Sequence, residues 1–99
     1  MKVLLICAGG LSTDILKKKM MQHAESKGIP FEVVACGIMN YKEICNDYDV
    51  IMIGPQVSYK KAEVEANSNQ PIGVITAIDY ATGNAGSIFN QIEKLLSCK

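Results

Sequence analysis

The sequence predicts an α/β domain, an open parallel sheet with helices on both faces. Three observations carry this expectation. Short apolar runs alternate with segments of helical spacing in the order β-α-β-α-β-α-β-α, and such alternation builds parallel sheets through right-handed helical crossovers. The first run, Val3-Leu4-Leu5-Ile6, is continuously apolar, as in strands buried on both faces. It ends in a glycine-containing loop, Cys7-Ala8-Gly9-Gly10, that leads directly into a helical segment.

The elements follow in order. Residues 2–6 form the first strand, and residues 11–27 a helix with Leu16, Met20 and Ala24 on its buried stripe and Ile15 and Met21 beside it. Ser12, Thr13 and Asp14 suit its first turn, while Gly28 and Pro30 end it. Residues 31–36 are the second strand, residues 37–48 contain a short helix, and residues 50–53 are the third strand. Pro55 opens the next element, a polar helix over residues 57–67. Residues 72–75 are the fourth strand, residues 78–86 are irregular, and residues 87–97 form an amphipathic helix through Ile88, Ile92, Leu95 and Leu96.

With 99 residues the chain is one domain spanning residues 1–99. An apolar content of 48% is too high for disorder. Zero formal net charge and the absence of tryptophan argue against nucleic acid as a partner. No apolar run approaches the ~20 residues that span a bilayer, and Met1-Lys2 lead into a strand without a signal-peptide pattern. The expectation is a cytoplasmic protein without direct membrane insertion. The four cysteines include no C-x-x-C pair, and His23 is the single histidine, so neither a metal site nor a cofactor is expected. Cys36 is placed at a strand end, Cys45 on a helix face and Cys98 at a frayed end, with His23 on the surface.

Cys7 falls where the first strand ends. Read alone, it is either a nucleophile in a phosphate-binding loop or a packed buried thiol, and Gly9-Gly10 is either a cradle or a turn. Backbone N–H groups at a helix start favour an anion or a thiolate. Open parallel sheets bind ligands off the carboxyl ends of their strands. The loops holding Cys7, Gly54 and residues 78–86 all follow such ends, which favours the functional reading.

These residues resemble a known family. Cys7-Ala8-Gly9-Gly10-Leu11-Ser12-Thr13 is similar to the C-x-x-G-[ML]-S-T loop of the enzyme IIB components of the bacterial sugar phosphotransferase system, lactose/cellobiose (diacetylchitobiose) type. Lys19-Met20 matches a Lys-Met of that family's first helix. Asp49 to Tyr59, with Gly54-Pro55-Gln56-Val57 at its centre, resembles D-V-I-L-L-G-P-Q-V-x-Y, and Asp79-Tyr80 with Asn84 resembles D-Y-G-x-x-N-G. Ala81 and Ala85 depart from that pattern, standing where the family often has glycine.

The resemblance implies a low-molecular-weight-phosphatase-like sheet of order 2-1-3-4. It implies a phosphotransferase that accepts a phosphoryl group on Cys7 from the phosphohistidine of a IIA partner. The group then passes to a β-linked disaccharide, such as cellobiose, lactose or chitobiose, held by a membrane IIC permease. Ala8, Gly9, Gly10, Leu11, Ser12 and Thr13 would cradle the phosphoryl oxygens with backbone N–H groups. The Ser12 and Thr13 hydroxyls add donors or cap the helix, and the loop holds no lysine or arginine. Gln56, Tyr59, Asp79 and Tyr80 are candidates for a partner-binding rim; otherwise they are exposed polar residues or a turn.

Four alternatives stand beside this, one of them a receiver-type binding module, which needs clustered acidic residues after the first strand where this chain has cysteine and glycine. A low-molecular-weight tyrosine phosphatase needs C-x5-R, but Thr13 occupies the arginine position and the chain has no arginine. Asp79 is that reading's one supporting residue. A thiol-redox protein needs a resolving cysteine near Cys7, for which Cys36 is the candidate. A IIB-like regulatory module shares every motif with the transport component. If the loop approaches phosphate through its backbone, Gly10→Val lowers phosphoryl acceptance sharply; unchanged transfer, followed by intact mass, counts against the cradle.

Overall fold

The computed structural model describes residues 1–7, 11–39 and 41–97, the side chains of residues 11–13 excepted. Its centre is a four-stranded parallel sheet of order β2-β1-β3-β4. The strands are β1 (Lys2–Cys7), β2 (Glu32–Gly37), β3 (Val50–Ile53) and β4 (Ile72–Val74). β1 pairs with β2 from Lys2↔Glu32 to Cys7↔Gly37 and with β3 from Val3↔Val50 to Ile6↔Ile53. The order 2-1-3-4 is the expected one.

Strand alternation divides the core into two layers. Val3, Leu5, Val33, Val50 and Met52 face one side, where α1 (Leu11–Ser26) and α4 (Ala85–Ser97) bring Leu16, Met20, Ala24, Ile88, Phe89 and Ile92. Leu4, Ile6, Ile51 and Ile53 face the other, against Tyr41, Cys45, Val57 and Val64. β1 is therefore buried on both faces. The α1 stripe lies as the four-residue spacing requires, while Ile15 and Met21 stand 56% and 51% exposed. At the amino-terminal end of the strands, Lys2 N–H donates to Asp49 Oδ2 at 2.8 Å, and Asp49 N–H to the Lys2 carbonyl at 2.8 Å. This pair sets where β3 begins beside β1.

Three segments differ from expectation. Residues 37–48 hold two 3-10 turns, Tyr41–Glu43 and Cys45–Asp47, rather than an α-helix. Tyr41 and Cys45 anchor them in the core, with Ile44 and Tyr48 partly buried against it, and Asn46, Asp47 and Asp49 compete with helical propagation. Residues 55–67 divide into a 3-10 segment, Pro55–Lys60, kinked at the buried Val57, and α2 (Lys61–Asn67). Residues 78–86 are not irregular. Ala77–Thr82 forms a helix, α3, whose N-cap Thr76 side chain accepts from Asp79 N–H at 3.1 Å. Gly83 closes it in the left-handed region at φ 63°, and α4 begins at Ala85. The two glycines and Asn84 punctuate helices here instead of forming a loop. Ala81 and Ala85, the departures from the family pattern, are good helix formers inside α3 and at the start of α4.

Leu5 is fully buried on the central strand. Leu5→Ala is expected to cost about 2–5 kcal/mol of stability, read as a lowered denaturation midpoint with an unchanged denaturant slope.

Candidate active site

Cys7 is the last residue of β1 and is 2% exposed. β1 lies between β2 and β3, and the chain leaves it first toward one neighbour and later toward the other. That is the switch point of an open α/β sheet, where a crevice forms beyond the strand ends. The Cys7 Sγ–H points to the Cys36 carbonyl at 3.9 Å. On the other side Gly54 N–H donates to the Ile6 carbonyl at 2.8 Å, carrying the β3 chain past the cysteine. A Cβ at position 54 would lie 3.5 Å from Cys7 Cβ and 3.1 Å from Gln56 Oε1. Glycine there leaves room beside the thiol.

Ala8, Gly9 and Gly10 lie outside the described residues, as do the side chains of Leu11, Ser12 and Thr13. The ends of the loop are defined: it leaves β1 at Cys7 and enters α1 at Leu11. The helix start and the thiol thus belong to one short connection, an arrangement suited to an anion.

Gln56 and Tyr59 lie on the segment that follows β3. Both are exposed, Tyr59 by 74%, and Lys60 Nζ sits 5.8 Å from the Tyr59 ring centroid. Asp79 and Tyr80 lie on α3, after β4. Asp79 Oδ2 accepts from Ser87 Oγ on α4 at 2.8 Å, and Tyr80 is buried in the core layer beneath α1 and α4. Both residues thus fix the position of α3. His23, expected at the surface, is half-buried in the last turn of α1 and packs on Phe89 at 4.9 Å between ring centroids. Two features escaped the sequence reading. One is the close approach of Gly54 to Cys7, which the sequence placed only on the same side of the sheet. The other is the bond from Lys19 Nζ to the Thr82 carbonyl at 3.2 Å. The Thr76-x-x-Asp79 capping spacing was a usable signal for α3.

Cys36 lies one strand from Cys7, and its register partner is Ile6. Its side chain therefore shares the face of Ile6, opposite to that of Cys7, which disfavours pairing the two as a redox couple. Burial, followed by the nearby Cys7 and Cys45 thiols, pushes Cys36 up to about 11. Among the described residues no cluster suited to a metal ion occurs, and no helix is long and apolar enough to cross a membrane.

Fold and site together define a small open α/β domain with a cysteine at the switch point of its sheet. Residues 2–91 match the family model described as "PTS system, Lactose/Cellobiose specific IIB subunit". The chain is 33% identical over 98 residues to the oligo-beta-mannoside-specific EIIB component of Bacillus subtilis (strain 168), covering 96% of this chain and 95% of the relative. It is 28% identical over 103 residues to the cellobiose-specific EIIB component of Lactococcus lactis subsp. lactis (strain IL1403), at 96% and 95% coverage. The solution structure of a cellobiose-specific IIB component from Borrelia burgdorferi superposes with a TM-score of 0.83 at 28% identity, over 100% of this chain and 94% of that one. The chain belongs to the lactose/cellobiose-specific IIB subunits of the phosphotransferase system. As such it is a phosphocarrier and a phosphotransferase, and membership of this family implies IIA and IIC partners.

The raised Cys36 carries a sign. The folded state keeps this thiol protonated up to about 11, whereas the unfolded chain releases the proton nearer its ordinary range. The stability it contributes is therefore complete at neutral pH and is lost as pH climbs toward that value. The stability of the wild type relative to Cys36→Ala, measured by denaturation at about pH 8 and about pH 10.5, is expected to shrink at the higher pH.

Proposed function

We propose that Cys7 carries the phosphoryl group. The supporting observation is its position, at the carboxyl end of a strand held from both sides, beside Gly54 and separated by three residues from the start of α1 at Leu11. In the first step the Cys7 thiolate attacks the phosphorus of a IIA phosphohistidine. The S–P bond forms, the N–P bond breaks, and the imidazole nitrogen leaves with its electron pair. In the second step a hydroxyl of a sugar bound by the IIC permease attacks the phosphorus. The P–O bond forms, the S–P bond breaks, the hydroxyl proton passes to a base or water at the acceptor site, and the thiolate is regenerated.

Backbone N–H groups from Ala8 to Thr13 serve the equatorial oxygens in both steps. The chain has no arginine. A phosphoryl group held by peptide dipoles rather than a bidentate cation is bound without being trapped. The sugar is of the β-linked disaccharide class, a reading supported by relatives named for oligo-beta-mannoside and for cellobiose. The work takes place at the cytoplasmic face of the permease. Gln56 and Tyr59 lie on the partner-facing rim, while Asp79 and Tyr80 support that rim through α3.

Incubation with phosphoenolpyruvate, the general phosphotransferase proteins and a IIA protein is expected to add one phosphoryl mass, mapping to the Cys7 peptide and lost when IIC and sugar are supplied. Cys7→Ser is expected to abolish the added mass while keeping the wild-type circular dichroism and denaturation midpoint. Phosphorylation of that variant at the wild-type level would falsify the assignment.

A further inference from the structure

Cys7 is nearly fully buried. A phosphoryl group attached to another protein therefore reaches the sulfur only if that protein seats against the rim around it. After the carboxyl end of each strand the chain carries an exposed apolar residue, with Met21 a second one further along α1. Ile15 follows β1, Met39 follows β2, Tyr59 follows β3 and Ile78 follows β4, at 56%, 86%, 74% and 75% exposure. Ile15 stands on a sixteen-residue helix, Met39 just beyond the end of β2, and Tyr59 two residues after the buried Val57. Ile78 is different. It stands on α3, six residues long with a single buried residue, Tyr80. A helix this short does not hold itself in place.

Backbone bonds join α3 to its flanks, Asn84 N–H donating to the Asp79 carbonyl at 3.0 Å, and side-chain bonds add to them. At one end Thr76 caps it, and Ser87 of α4 binds Asp79. At the other, Lys19 of α1 donates its ammonium to the Thr82 carbonyl at 3.2 Å, where a cation also suits the open carbonyls of a helix end. Gly83, whose φ of 63° already calls for glycine at the end of α3, lies directly against the lysine stem. A Cβ there would press on Lys19 Cδ and lie 2.9 Å from its Nζ and 3.1 Å from its Cε. The chain is bare where the lysine stem crosses it. Below the crossing, Ile15, Leu16, Tyr80 and Ala81 line a cavity of about 210 Å³ together with Lys19 and Gly83. Tyr80 shares the core layer with Leu16, and the lysine spans the pocket that remains at the edge of this junction.

We propose that Lys19 is a positioning residue for phosphoryl transfer. By tying the last turn of α3 to α1 it holds Ile78 at the rim where the phosphorylated IIA protein seats. The proposal rests on the assignment of Cys7 as the acceptor.

The test compares wild type, Lys19→Met, which keeps the stem but loses the donor, and Lys19→Arg, which keeps a donor. Two readings are taken: amide hydrogen exchange across Ala77–Thr82, and the kinetics of Cys7 phosphorylation at varied concentrations of a phosphorylated IIA protein that charges the wild type. In Lys19→Met, exchange in α3 is expected to rise and the KM for the IIA protein to increase about three- to tenfold with kcat unchanged. Lys19→Arg is expected to restore both. Unchanged exchange in Lys19→Met overturns the tie, and raised exchange with an unchanged KM overturns its role in docking. A fall in kcat alone would instead place Lys19 at the reacting phosphate. Failure of the Cys7 assignment is separately visible, as phosphate mapping to another residue of the wild type.

Discussion

The structure depends on the burial of β1 on both faces. Val3 and Leu5 fill the layer under α1 and α4, while Leu4 and Ile6 fill the layer under Tyr41, Cys45, Val57 and Val64. Among the described residues no helix is apolar all round, and the longer helices become stable by covering one side of this strand and its neighbours. The pairing with β2 and β3 on either edge then removes the last free backbone groups of β1 from solvent. Cys7 inherits this environment because it is simply the next residue.

From that constraint the site follows with little further specification. A central strand has a neighbour on each side, so two other chain segments necessarily pass its carboxyl end. Here those segments are the end of β2, whose Cys36 carbonyl faces the thiol, and the turn at Gly54. A Cβ at Gly54 would meet Cys7 Cβ at an ordinary 3.5 Å and press more closely, at 3.1 Å, on Gln56 Oε1. The chemistry expected of the family needs donors along one short connection rather than a constellation gathered from distant parts. A loop entering a long helix supplies these.

Much of this was legible in the amino-acid order. Apolar runs without alternation placed the strands, and the spacing of Leu16, Met20 and Ala24 placed the buried face of α1. What escaped were short elements whose conformation is decided by one anchor each. Residues 41–47 take 3-10 turns because two buried side chains fix them over too short a span for an α-helix. α3 escaped because Gly83 and Asn84 read as loop residues until Thr76 is seen to cap the preceding turn. Of the candidate site, Cys7 and its loop stood out by motif, and Gln56 and Tyr59 by position. The inward placement of Tyr80 and the bond between Asp79 and Ser87 required the packing of α3 on α4.

The placement of the thiol on a doubly buried strand has a consequence for timing. A nucleophile carried on a lid or a hinge can be switched by its own motion. A nucleophile fixed to the least mobile part of a domain is equally ready before and after each encounter. Its readiness costs no rearrangement at the moment of reaction, and the direction of flow is set outside it, by which partner arrives and in what state of charge. Under the proposed assignment of Cys7, the domain acts as a fixed contact between two partners that come and go.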